Sequence, residues 1–335
     1  MDTQSLPQPP PEMLVVIGAS FGGVDALVRL ARELPQDLPV AYAVVLHIGM
    51  QRSLLPELLM AVGARAMHAI DGEPLRAGNI YVAPPDHHMV VDRDKVFLSR
   101  AARENHTRPA IDPLFRSAAL AWGPAAIGVI LTGNLDDGTA GLAAIKACGG
   151  IAVVQDPKDA VGPSMPSSAL ANVKVDHCVP LAAIAALLAR LVTLRPPASR
   201  QDPPRHLLRE HAAFEGDHSM DNLAAMATPT QLTCPDCGGT LSELDDKSPL
   251  RYRCHTGHAY TARSLDGAQA ERTLISLHAG LRALKEREAL LRRLAMVATT
   301  LGDDVQARAG LHEADRVLEQ AERIEVMLAE EPGSA

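Results

Sequence analysis

Residues 15–27 read VVIGASFGGVDAL. An apolar run stops at Gly18, a serine stands at position 20, two glycines follow, and helix-forming residues begin. A strand, a tight turn and a helix N-terminus frame two different kinds of site. One exposes a serine nucleophile at a sheet edge; the other cradles a phosphate on helix amides. A plain helix cap is the third use of such a serine. The strands that follow decide between them.

Strand-like and helix-like segments alternate from Leu14 to about Leu194. MLVVIGA, AYAVVLHI, AAIGVILTG and IAVVQD are short apolar runs. GVDALVRLAREL, DPLFRSAALAWG, TAGLAAIKACG and PLAAIAALLARLVTL have helical spacing. MVVD and KVFLSR suggest a hairpin between them. Apolar strands alternating with helices predict an α/β fold, a doubly wound and mostly parallel sheet with helices on both faces. The expected organisation is a disordered lead-in over 1–12, a catalytic domain over 13–194 and a Pro-rich linker over 195–230. A small zinc-ribbon-like module over 231–260 and a helical hairpin over 261–331 complete it. The hairpin rests on Leu274, Leu277, Leu281, Leu284 and Leu291, then Leu311, Ala314, Leu318 and Leu328, with a break at LGDD.

A dinucleotide fingerprint needs G-x-G-x-x-G and an acid closing the second strand. Here the glycines stand at 18, 22 and 23, and the second strand ends in His47. A serine hydroxyl is a weak nucleophile until a base takes its proton, and imidazole is the usual base. His47 sits at the carboxyl end of a neighbouring strand, where it could face Ser20. A third residue should orient the imidazole. GVILTGNLDDGTAG (128–141) brings Asp136 and Asp137 to the same sheet edge. Capping of the next helix is the alternative use of either acid.

The 335-residue chain is 47% hydrophobic and carries a net charge of −8. It has no basic excess for nucleic acid, and at 3% aromatics no stacking platform for bases. The N-terminus lacks the basic start and apolar run of a signal peptide, and the apolar stretches are too short to insert into a membrane. A cytoplasmic location is expected. Three of the five cysteines fall between 234 and 254, in CPDCGG (234–239) and RCHTGH (253–258). This spacing suits a tetrahedral structural zinc on Cys234, Cys237, Cys254 and a histidine. His255 competes for the fourth place, but Cys-x-x-x-His leaves room for a turn through Gly257, which favours His258. Cys148 and Cys178 are expected as buried core thiols, and His87, His88 and His106 as polar loop residues.

The ordered set IGASFGGVDAL, VVLHI, DGEPLRAGNIYVAPPDHHMVV, RPAIDPLFRSAA and GVILTGNLDDGTAGL resembles the catalytic domain of CheB, the chemotaxis protein-glutamate methylesterase. AVVQDP and SMPSSAL match more loosely. The resemblance implies a Ser20–His47–Asp137 triad, with Asp137 taken over Asp136 because it precedes the glycine of the turn. It implies hydrolysis of glutamyl methyl esters on chemoreceptor-like proteins, a possible glutamine deamidation, and no catalytic cofactor. The implied oxyanion donors are backbone amides near Phe21 and Asn134. A methylated receptor is the implied substrate and a glutamate methyltransferase the implied functional partner. A non-catalytic adaptor that binds receptor helices is the alternative. The family's receiver domain is not expected ahead of a catalytic domain that starts within the first twenty residues. The turn TGNLDDG departs from the family's usual T-G-M-G-x-D-G, with Asn134 for methionine and Leu135 for glycine.

Overall fold

The computed structural model describes residues 9–48, 52–194, 201–217 and 219–330. Most of the expected lead-in, residues 195–200 of the expected linker and the last residue of the expected hairpin lie outside them. The chain divides into two compact units, one up to Leu265 and one from Asp266 onward.

The first unit opens with β1 (Met13–Ala19), α1 (Gly23–Glu33), β2 (Val40–Leu46), α2 (Leu55–Ala61), β3 (Arg65–His68) and β4 (Asn79–Val82). A hairpin of β5 (His88–Val91) and β6 (Val96–Ser99) follows, then α3 (Ile111–Trp122), β7 (Ala126–Ile130), α4 (Thr139–Ala147) and β8 (Ile151–Gln155). The series ends with α5 (Ser164–Asn172), β9 (His177–Val179) and α6 (Leu181–Leu194). Seven strands form one sheet in the order β3-β4-β2-β1-β7-β8-β9, and every pairing is parallel. All seven residues of β1 are buried, as expected of a strand with helices on both faces. Val15 and Ile17 face Leu27, Leu30 and Leu188 on one side. Leu14 and Val16 face Phe115, Ala118 and Leu142 on the other. Alternation along a pleated strand thus feeds two cores from one apolar run.

The chain leaves β1 toward β2 on one side and returns through β7 on the other. Such a change of direction opens a crevice at the carboxyl ends of the strands. Ser20 follows β1, His47 follows β2, and Asp136 and Asp137 follow β7.

Where the sequence reads as linker, the described part of 201–230 is structured. It holds α7 (Arg205–Phe214) and α8 (Met220–Ala224), and β10 (Ala227–Thr233) has begun. The reason is packing: Leu207 joins the core on the Leu14 and Val16 side of the parallel sheet, and Phe214 is buried. β10, β11 (Thr240–Lys247), β12 (Leu250–Cys254) and β13 (Ala259–Thr261) form a second, antiparallel sheet in that order.

α9 (Ala262–Thr300) and α10 (Asp304–Glu330) turn at Leu301–Asp303, where the sequence breaks at LGDD. Within the second unit they run antiparallel. Arg287 lies 3.0 Å from Glu313 and Arg292 2.9 Å from Asp315, and Ala295, Ala298, Ala314, Val317 and Ala321 are buried. No described helix is long and apolar enough to cross a membrane.

Candidate active site and metal centre

Ser20 does not cap α1. The cap is Gly22, at φ 74°, with no side-chain bond to the helix. The tight turn instead ties Ser20 to the sheet: its amide donates to Thr132 O at 3.0 Å and its carbonyl accepts from Gly23 at 2.7 Å. Across the turn, a Cβ on Gly133 would lie 2.9 Å from the Ser20 Cβ and 2.0 Å from Met165 Sδ, so glycine there makes the space Ser20 occupies. The His47 amide donates to Ala19 O at 3.2 Å, which sets His47 beside the serine across the β1–β2 pair.

His47 Nε2 lies 2.7 Å from Asp137 Oδ2. With Nε2–H given to the carboxylate, the Nδ1 lone pair is the one left to act as a base. Neither Nδ1 nor Ser20 Oγ has a hydrogen bond among the described residues; catalytic hydrogen bonds often form only once substrate is bound. Asp137 is 3% exposed. Its Oδ2 also accepts from the Ile111 amide at 2.7 Å. Its Oδ1 accepts from Asn105 Nδ2 at 2.8 Å, the Gly138 amide at 2.9 Å and the Asp112 amide at 3.3 Å. Burial alone would raise its pKa, but the His47 contact and these donors outweigh burial and hold it below the usual carboxylate range.

Asp136 points elsewhere, accepting from Thr261 Oγ1 at 2.6 Å. Neither acid caps α4, whose cap is Gly138. Leu135 adopts φ 60° and is half-exposed. The turn therefore needs the left-handed backbone that glycine takes freely and leucine takes at a cost of about 1–2 kcal/mol.

Sequence reasoning missed two neighbours. Asp112 is buried behind Asp137, and burial, then the Asp137 charge, push its carboxyl well above the ordinary range. Asn105 donates through one amide nitrogen to both acids, at 2.9 Å to Asp112 and 2.8 Å to Asp137. His88, expected in a loop, is a buried β5 residue. Burial lowers it to about 4, and it is fixed as the neutral ring between Ala102 O and the Ala110 amide. His87 accepts from Arg100, and His106 faces Asp236. Cys148 is buried as expected; Cys178 is exposed, because β9 is the sheet's edge strand.

Cys234, Cys237, Cys254 and His258 place one ligand atom each within 4.8 Å of one another. Tetrahedral zinc with bonds of about 2.3 Å to sulfur and 2.05 Å to nitrogen requires S···S of about 3.8 Å and S···N of about 3.6 Å. Cys237 Sγ lies 3.7 Å from Cys254 Sγ, and Cys254 Sγ lies 3.6 Å from His258 Nδ1. His258 Nε2 lies 4.0 Å from Asp236. His255 lies over Gly239, outside this group. The donor set fits one tetrahedral ion.

A family model described as CheB methylesterase matches residues 15–188. A putative protein-glutamate methylesterase/protein-glutamine glutaminase of Leptospira interrogans is 39% identical over 183 residues, 53% of this chain and 93% of that protein. The Symbiobacterium thermophilum protein-glutamate methylesterase/protein-glutamine glutaminase is 36% identical over 187 residues, 54% of this chain and 51% of that one. The crystal structure of the Thermotoga maritima CheB methylesterase catalytic domain superposes with a TM-score of 0.50 at 31% identity, covering 54% of this chain and 98% of that one.

Proposed function

The chain belongs to the CheB methylesterase family, and from that premise we propose that it is a serine hydrolase that removes methyl esters from glutamate side chains of chemoreceptor-like proteins. The observation that carries the reading is the buried His47–Asp137 pair at the ends of β2 and β7, next to a serine in the turn after β1. Ser20 Oγ attacks the ester carbonyl carbon while its proton passes to His47 Nδ1. The tetrahedral intermediate collapses, and the methoxide leaves with that proton as methanol. Water then gives one proton to Nδ1 and attacks the acyl-serine; that proton returns to Ser20 as the ester breaks, and the glutamic acid released gives its remaining proton to solvent. Asp137 holds the imidazole and stabilises its cation. The amides of Phe21 and Gly22 have no partner among the described residues, so they are available to the oxyanion. A glutamine side chain takes the same path with ammonia as leaving group.

Cys234, Cys237, Cys254 and His258 hold a structural zinc. Four protein ligands leave no open position, so the ion has no part in the chemistry. The protein works in the cytoplasm, opposite a glutamate methyltransferase. Methanol release from methylated chemoreceptor cytoplasmic fragments, measured for wild type and Ser20→Ala, tests the reading. Release that vanishes in the variant is the expected result, and release that survives it rejects Ser20 as nucleophile.

A further inference from the structure

The family match ends at residue 188, yet the module beyond it reaches the back of the active site. Residues 103–105 lie along the free edge of β13: the Asn105 amide donates to Ala259 O at 2.7 Å, and the Ala259 amide donates to Arg103 O at 3.2 Å. The module therefore adds the segment carrying Asn105 to its own sheet. Asn105 and His106 both have left-handed backbones, φ 51° and 63°, a turn conformation that asparagine and histidine adopt more readily than most residues.

The Asn105 side chain is held at both ends. Its Oδ1 accepts from the Thr261 amide and from Ser264 Oγ, each at 3.0 Å. With the oxygen so fixed, Nδ2 must point the other way, into Asp137 and Asp112. Thr261 also caps α9, accepting from the Ser264 amide at 3.1 Å, and its hydroxyl holds Asp136.

The metal ligands sit immediately before this clamp. Cys254 ends β12, His258 precedes β13, and the Cys254 amide donates to His258 O at 3.0 Å. The knuckle contributes a second tether: Asp236, between Cys234 and Cys237, accepts from Tyr260 at 2.6 Å and faces His106 at 3.6 Å.

We propose that Asn105 is a positioning residue for the catalytic aspartate, and that the metal-bound Cys/His module sets it, so that metal loading is coupled to esterase activity. This rests on the triad and zinc readings above. Without metal, the 254–258 turn loses its cross-link, β13 loses its register, and Asn105 is released from its oxygen side. Asp137 then keeps its backbone donors but loses the contact that orients the carboxylate toward His47.

The test uses the full chain and a fluorophosphonate probe, which reports Ser20 reactivity whatever the protein substrate. Zinc content, far-UV circular dichroism, and kcat and KM for methanol release are measured beside it. Wild type should label and Ser20→Ala should not. A wild type that fails to label overturns the triad reading and this inference with it. Given labelling, Asn105→Ala should lower kcat and the labelling rate by about 10- to 100-fold, the scale of loss when a reacting group is misplaced by about 1 Å, with KM and zinc content unchanged. Chelation should cause a similar loss, reversed by zinc chloride. If Asn105→Ala does not fold, Ser264→Ala takes away one of the two donors to Asn105 Oδ1, together with the hydroxyl's contacts to Thr261, and should cost about two- to tenfold. Wild-type labelling rates after zinc removal, or in the folded variants, overturn the inference and leave the esterase reading standing.

Discussion

Asp137→Asn tests the electrostatics of the site most directly, because it keeps the shape and removes the charge. The carboxylate accepts from five N–H groups: His47 Nε2 and the Ile111 amide on one oxygen, Asn105 Nδ2 and the amides of Gly138 and Asp112 on the other. A carboxamide has only one oxygen. Whichever way it turns, its NH2 meets donors. If the NH2 faces His47, it forces the ring to accept at Nε2 and carry its proton on Nδ1, the atom proposed to take the proton from Ser20. The neutral side chain also cannot stabilise the imidazolium. In a serine protease, the same swap lowers kcat by about 10⁴, equivalent to about 5.5 kcal/mol of barrier.

The same substitution has a stability cost of different origin. At least one buried donor is left facing another donor, for about 1–3 kcal/mol. Methanol release and fluorophosphonate labelling read the first effect; urea denaturation at pH 7 reads the second. The expected variant is folded, less stable, and slower by about four orders of magnitude. A variant that keeps more than about a tenth of the wild-type rate would refute the assignment of Asp137 as the orienting group.

Gly133→Ala puts a Cβ 2.9 Å from that of Ser20. The displaced serine should label about 100-fold more slowly, and an unchanged rate would show that the turn can yield. Arg253→Met leaves Glu104 and Glu210 short of a buried partner. It should cost about 3–5 kcal/mol in urea denaturation, and a loss under about 1 kcal/mol would remove the buried ion cluster as a fastening of the module. Burial would raise the Glu210 carboxyl, but Arg251, Arg116 and Arg253 hold it at about 2. A depressed carboxyl stabilises the fold above its unfolded pKa, so about 3 kcal/mol should disappear as pH falls from about 4.5 to about 2. Asp112 and Asp136, raised chiefly by burial, favour the fold at low pH and offset part of that loss. Glu210→Gln should therefore flatten the acid limb of the urea midpoint against pH, and an unaltered slope would count against it.

The readable parts of this protein are those whose chemistry is local in sequence. Ser20 and His47 each follow directly on an apolar run, Asp137 lies in the turn after a third, and a parallel sheet brings the ends of its strands to one edge. The Cys-x-x-Cys and Cys-x-x-x-His spacings predict their shared site in the same way. The parts that escaped depend on pairs far apart along the chain: Arg116 meets Glu210 across 94 positions and Arg253 meets Glu104 across 149. Such pairs leave only an indirect trace, a charged residue where a helix face calls for an apolar one. Glu210 is such a residue, three positions after the buried Leu207 and four before the buried Phe214 on α7. So is Arg116, in the largely buried α3. Composition misled the reading of 201–230 for the same reason, since prolines and charges mark a linker unless a distant partner buries them. Asn105 is legible from neither side alone. Its sequence neighbours are polar loop residues, and its proposed role lies in one amide group whose oxygen faces Thr261 and Ser264 and whose nitrogen faces Asp112 and Asp137. An exposed asparagine could turn over at little cost. Here the Thr261 and Ser264 donors on one side and the Asp112 and Asp137 acceptors on the other leave a single orientation that satisfies all four.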